Sequence, residues 1–283
     1  MARTRRLKAK GDVAYYHVIS RTVGGEFLLG DVEKEKLLSV IKQFSSLYFV
    51  SVIGYCIMDN HFHLLVKTLS VEDIDDTELK ERLSRHYKNI PDEITESELL
   101  KYKEKLTDIS EYVKSIKMTF SRWYNKRNQR RGYFWGDRFK SVLVEKGESL
   151  LSMLAYIDLN PVRAGICGRP EEYRWSSFSH RLAKPSDDLL TFAGTEISNA
   201  DDYFSFVYGV GKLERNVEAD GAVNIWHHKV RYFTDTLVIG SKGFIESTYK
   251  IFEDKITKKE RKAHKVPIDS STGLYSMQRL NSI

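Results

Sequence analysis

Asp59-Asn60-His61-Phe62-His63-Leu64-Leu65-Val66 places two histidines two residues apart inside an apolar run. Side chains alternate along a β-strand, so both imidazoles share one face while Phe62, Leu64 and Val66 point the other way into a core. Two imidazoles on one face can share a metal ion. Alone they make half a site, because a divalent ion that does chemistry needs a further protein ligand and open positions for substrate. The pair fits equally well two half-buried histidines with a structural task, and the motif by itself does not separate the two readings.

Outward from this stretch, Phe49 to Met58 is apolar on both alternating faces, with Val50, Val52 and Cys56 against Ile53, Tyr55 and Ile57, as expected of a central strand covered on both sides. Asp59-Asn60 makes the turn and His61 to Lys67 returns, forming a hairpin. Val13 to Thr22, stopped by Gly24-Gly25, reads as another strand; His17 inside it reads as structural. Asp31 is the expected N-cap of a helix carried by Val32, Leu37, Leu38, Ile41, Phe44 and Leu47.

From Ser70 to Asp108 the chain is acidic and helical in patches, broken at Pro91, which predicts an inserted peripheral helical segment with solvated faces. Ile109 to Arg127 is a clearer helix, with Tyr112, Ile116, Phe120 and Trp123 on one side and Lys114, Lys117, Arg122 and Lys126 on the other. The basic run continues through Arg127, Arg130 and Arg131 into Gly132-Tyr133-Phe134-Trp135-Gly136-Asp137-Arg138-Phe139-Lys140. Cations for phosphates and flat rings for unpaired bases suit a single-stranded nucleic acid; a charged helix face followed by a glycine-bounded loop is the plainer alternative.

Phe139 to Lys146 reads as a strand, and a helix from Glu148 runs through Leu150, Leu151, Leu154 and Tyr156 to Asn160-Pro161, where the proline disfavours helical backbone before it. Tyr156 and Asn160 are four apart and so share a helical face. A carboxamide oxygen can be the third ligand of a hard divalent ion, and a phenol one turn away can be a nucleophile. Arg163, Arg174 and Trp175-Ser176-Ser177-Phe178 close this unit. Beyond a linker at Pro185-Ser186-Asp187-Asp188, helical patterns occupy Asp202 to Tyr208 and Gly243 to Phe252, a strand Thr236 to Gly240, and a basic segment Lys255 to Lys265. The adjacent pair His227-His228 would diverge on a strand and makes a poor ligand site.

The 283 residues, 41% of them hydrophobic, suffice for a large globular domain with an appendage. A net charge of +6 and a pI near 9.0 point weakly to a polyanionic partner. Cys56 and Cys167 give neither a disulfide framework nor a zinc spacing, which suits a reducing interior. No run approaches a membrane span and the N-terminus lacks the apolar core of a signal peptide, so a cytoplasmic location is expected. The basic residues 1–10 are a frayed terminus or a phosphate-contacting arm.

Asp59 to Val66 resembles the histidine-hydrophobe-histidine (HUH) motif of single-tyrosine transposases. Gly132 to Val144, and Tyr156-Ile157-Asp158-Leu159-Asn160-Pro161-Val162-Arg163-Ala164-Gly165, resemble the matching blocks of their REP-associated branch. The resemblance spans about residues 10–182. It implies an α+β fold, a ferredoxin-like antiparallel sheet with helices on its faces, in a catalytic domain over 1–185 that carries the 70–108 insertion. Residues 186–283 would be a mainly helical C-terminal extension of unknown role. Carried across by position, His61, His63 and Asn160 correspond to ligands of Mg²⁺ or Mn²⁺ and Tyr156 to the nucleophile. The implied activity is metal-dependent cleavage and strand transfer of single-stranded, hairpin-forming DNA through a 5′-phosphotyrosine, by a bacterial, nucleoid-associated protein that is a monomer or a homodimer. Arg5, Arg6, Lys117, Arg122, Lys126, Arg127, Arg130, Arg131, Tyr133, Trp135, Arg138, Lys140 and Arg163 are the expected DNA contacts. Two other readings remain: hydrolysis by an activated water, and a regulator that binds DNA hairpins without cutting them.

Overall fold

In the computed structural model, which describes residues 7–8, 12–88, 91, 94–212, 231–253, 263–265 and 273–278, the histidine strand is an inner strand of the sheet. β1 (Ala14–Arg21), β2 (Val50–Ile57), β3 (His61–Thr68) and β4 (Lys140–Val144) pair antiparallel in the order β2-β3-β1-β4. Helix α1 (Asp31–Ser45) joins β1 to β2. α2 (Asp76–His86), α3 (Glu96–Thr107) and α4 (Ile109–Arg127) join β3 to β4. A βαββαβ path with this strand order is the ferredoxin-like arrangement that the resemblance implies. Leu37, Val40 and Ile41 of α1, with Tyr112, Ile116 and Phe120 of α4, cover the face formed by Tyr16, Val18, Phe62, Leu64 and Val66.

The helix ends have local causes. Asp108 starts α4 by accepting from the backbone N–H groups of Ser110 and Glu111, and Thr95 with Glu98 forms a reciprocal capping box on α3. Much of the acidity of 70–108 is spent this way, in caps and first turns where a negative charge meets the positive end of the helix dipole. Asp31 is not the cap of α1: Gly30 holds that position in extended backbone, and Asp31 falls in the first turn.

The opposite face of the sheet carries α5 (Glu148–Asp158), α6 (Asn160–Arg163), α7 (Ser177–Ala183) and α8 (Ala200–Lys212), packed over Ile53, Cys56, Leu65, Val142 and Val144. β2 departs from the strict alternation expected of it. A register shift between Val52 and Gly54 turns Tyr55 and Ile57 to the same side as Val50 and Val52, and leaves Ile53 and Cys56 on the α5 side. Gly54 sits at this bulge because α5 presses against it: a Cβ there would lie 2.2 Å from Leu154 Cδ1.

The C-terminal part contributes α9 (Arg231–Thr234) and α10 (Lys242–Ile251), but it also extends the sheet. β5 (Thr236–Gly240) pairs parallel with β4, followed by β7 (Tyr275–Gln278) and β6 (Ala263–Lys265). Parallel pairing needs a long crossover, and the α5-to-α9 excursion supplies it. Arg5, Arg6, the His227-His228 pair and most of the Lys255–Lys265 run lie outside the described residues.

A buried polar knot ties α5 to α7 and α8. Asp158, fully buried, accepts from Ser177 Oγ (2.6 Å), Phe178 N (3.1 Å) and Tyr203 Oη (2.6 Å), with Arg181 Nη1 4.0 Å away. Burial pushes the Asp158 carboxyl up, and Arg181 with these donors pulls it back. Asp158→Ala should lower the unfolding free energy by about 3–5 kcal/mol, because it strands a buried guanidinium. Gly54→Ala should cost about 1–3 kcal/mol through overpacking against Leu154. Denaturant titration reads both, and wild-type midpoints would contradict the packing described.

Candidate active site

The β1–β3 register builds the site before any helix is added. Arg21 stands opposite His61, Ile19 opposite His63 and His17 opposite Leu65, so His17 is a diagonal neighbour of His63 on one face of the sheet. The His61 and His63 ring centroids are 5.0 Å apart at 77°, and those of His17 and His63 are 5.0 Å apart at 16°. His17 Nε2 and His63 Nδ1 are 2.8 Å apart, and His17 Nδ1 lies 2.9 Å from the backbone oxygen of Phe233. The hairpin turn is equally fastened. Lys34, buried in α1, reaches Asp59 Oδ1 at 2.5 Å, Thr22 N donates to the Asn60 carbonyl, and Asn60 Nδ2 donates to the Gly25 carbonyl at 2.9 Å while its Oδ1 sits 2.6 Å from His61 Nδ1.

Tyr156 descends from α5 onto this face. Its ring lies 6.2 Å from that of His63 and 6.1 Å from that of His17, and it stacks on Phe233 at 4.5 Å and 19°. Arg163 holds its guanidinium 4.1 Å from the ring centroid and donates through Nη2 to the Tyr156 carbonyl at 2.6 Å. Burial raises the Tyr156 phenol above its ordinary value, and Arg163 partly offsets this. His63 is 3% exposed and held well below the ordinary imidazole range, first by burial, then by His17 and His61, then by Arg163 and Arg21. A neutral imidazole is the form that binds metal.

Asn160 follows one turn after Tyr156. α5 ends at Asp158, but Leu159 keeps helical backbone and α6 resumes at Asn160 with Pro161 in its first turn, where a missing N–H costs nothing. The Asn160 amide nitrogen is buried without a hydrogen-bond partner among the described residues. No group of three or more His, Cys, Asp or Glu is positioned to hold an ion among those residues. A site on His61 and His63 would therefore draw its next donor from another residue type, and the oxygen of the Asn160 carboxamide is a hard donor of the kind such an ion takes.

The basic residues divide. A groove of about 1000 Å³ between α4 and the 132–140 loop is lined by Lys117, Arg122, Tyr133, Arg138 and Lys140. Gly136 N donates to the Arg21 carbonyl at 3.0 Å, which docks this loop at the end of β1 opposite His61. Tyr133 is 85% exposed, whereas Trp135 is 7% exposed: it packs edge-on against Phe62 and Phe134 and donates from Nε1 to the Lys117 carbonyl. Trp135 is thus mainly a core residue that presents only a small part of its surface to the groove. Lys126, Arg127 and Arg131 are exposed; Arg130 is within 4.0 Å of Glu26, Lys140 pairs with Asp235 at 2.7 Å, and Arg163 belongs to the Tyr156 surroundings. Arg21, Asn60 and Phe233 are neighbours of the histidine pair that no motif points to, and His17 reads from sequence alone as structural. For Arg21 and His17 the alternation of β1 held the clue, since both fall on the face of Ile19.

Residues 12–103 match the model of the family described as "Transposase IS200 like". No curated relative matches the chain. Among solved structures, a REP-associated tyrosine transposase bound to a REP hairpin is 16% identical, with a TM-score of 0.45 over 70% of this chain and 98% of its own. A candidate transposase of Deinococcus radiodurans is 14% identical, with a TM-score of 0.30 over 59% of this chain and 92% of its own. Among the described residues no helix is long and apolar enough to cross a membrane. The matched residues 12–103 run from β1 into α3 and include the His61-Phe62-His63 strand.

Proposed function

We propose that the chain is a metal-dependent endonuclease and strand transferase of single-stranded, hairpin-forming DNA, with Tyr156 as its nucleophile. The observation that carries this reading is the juxtaposition of Tyr156 with His63 and His17, beneath the Arg163 guanidinium. His61, His63 and Asn160 would hold Mg²⁺ or Mn²⁺. Such an ion supplies Lewis-acid polarisation of a phosphoryl oxygen.

The chain's own groups do the rest. The Tyr156 Oη attacks phosphorus, the new O–P bond forms as the P–O3′ bond breaks, and the electron pair leaves with O3′, which is released as a 3′-hydroxyl once protonated. The 5′ end stays on the enzyme as a phosphotyrosine, so the reverse attack by another 3′-hydroxyl reseals a strand without ATP. The phenol must lose its proton on the way. Arg163 favours the phenolate that burial disfavours, and Arg21, across from His61, adds positive charge to the same site. Lys117, Arg122 and Arg138 would track the phosphates along the groove, and exposed Tyr133 offers a ring to an unpaired base.

Labelled single-stranded hairpin DNA with Mn²⁺ should give a denaturation-resistant protein–DNA adduct. Tyr156→Phe should abolish that adduct and leave DNA binding intact, and His61→Ala with His63→Ala should abolish metal-dependent cleavage. A free 5′-phosphate without adduct would mean that water is the nucleophile; binding without cleavage over a range of metals would mean a regulator. Arg163→Gln should slow adduct formation by roughly tenfold, about 1.4 kcal/mol in barrier, measured in single-turnover time courses; an unchanged rate removes Arg163 from the activation of the phenol.

A further inference from the structure

The histidines of the HxH strand are each backed by a two-link hydrogen-bond chain that ends on a backbone carbonyl, and the two chains come from opposite ends of the sequence. A carbonyl oxygen only accepts, which makes each chain directional. Asn60 Nδ2 donates to the Gly25 carbonyl, and this fixes which way the amide faces: Oδ1 is the atom turned to His61 Nδ1, at 2.6 Å. The hydrogen between them therefore sits on His61 Nδ1. On the other side, the Phe233 carbonyl lies 2.9 Å from His17 Nδ1, so that nitrogen bears a hydrogen. In a neutral imidazole the other nitrogen is then an acceptor. His17 Nε2, 2.8 Å from His63 Nδ1, takes a hydrogen from it.

We propose that Asn60 and His17 are positioning residues that lock His61 and His63 in the Nδ1–H tautomer, so that both rings turn an unprotonated Nε2 toward the site. The C-terminal part of the chain supplies the anchor for the second lock. Phe233 lies just before β5, and its carbonyl is the terminus of the chain through His17 to His63. His17 is fully buried, and its ring plane lies within 16° of that of His63. Its role is to orient, since His63 stands between it and any ion. Outer groups of this kind fix ring orientation and tautomer and typically carry ten- to hundred-fold in metal affinity. The use of these tautomers to receive an ion rests on the function proposed above, whereas the tautomers themselves are a property of the metal-free chain.

The test uses the full chain labelled with ¹⁵N-histidine and free of metal. Long-range ring ¹H–¹⁵N correlations should show His61 and His63 each with a protonated Nδ1 and a bare Nε2, and His17 as a neutral Nδ1–H ring. His17→Phe, which removes the acceptor, should return His63 to a mixture of tautomers and weaken Mn²⁺ binding by calorimetry roughly ten- to hundred-fold. His17→Gln, whose amide offers a donor to Phe233 and an acceptor to His63, should recover most of both. An Nε2–H tautomer at His63 in the wild type, a doubly protonated His17, or a His17→Phe chain with unaltered tautomer and Mn²⁺ affinity overturns the proposal. Predicted tautomers in a wild type that binds no Mn²⁺ would support the locks and strike only at the metal-dependent function.

Discussion

Pairing of β1 with β3 in a single register determines which groups meet Tyr156. A shift of one residue would turn His61 and His63 away from α5 and into the layer beneath α1 and α4, because side chains alternate with period two. The register is held at both ends. Phe62, Leu64 and Val66 are fully buried in the α1–α4 core, and the turn at Asp59-Asn60 is fastened by Lys34, Thr22 and Gly25. Arg21, His17 and the two histidines of β3 share a face because the opposite face has no alternative packing.

Against that platform, α5 must deliver a phenol. Gly54 allows the helix to approach β2 to a distance no side chain would permit, and Asp158 fastens its C-terminal end to α7 and α8 through Ser177 and Tyr203. The cost is borne by the Tyr156 side chain, whose burial favours the neutral phenol, with Arg163 as the nearby counterweight. Phe233 serves two groups at once, its ring against Tyr156 and its carbonyl against His17. The C-terminal part is thus built into the site as well as into the sheet.

What could be read from the chain was whatever local periodicity encodes. The bounds of α4, the position of β5 and the shared face of His61 and His63 follow from spacing, and the structure has them where the spacing predicts. What could not be read depends on partners far away in sequence. The bulge beside Gly54 reverses the alternation of β2 because of a leucine on α5. Trp135 reads as one more aromatic in a basic run, and only the packing of Phe62 and Phe134 beside it shows that it faces inward. His17 reads as a structural histidine until the β1–β3 register sets it diagonally beside His63, and the Phe233 carbonyl reaches it from 216 residues away.

That Tyr156 forms the covalent bond to DNA is the step on which the proposed reaction turns. It is tested most directly by digesting the adduct formed on single-stranded hairpin DNA with nuclease and trypsin and locating the residual nucleotide by mass spectrometry. A nucleotide phosphate is expected on Tyr156, within the peptide between Lys146 and Arg163. A nucleotide on exposed Tyr133, or on any other side chain, would contradict it.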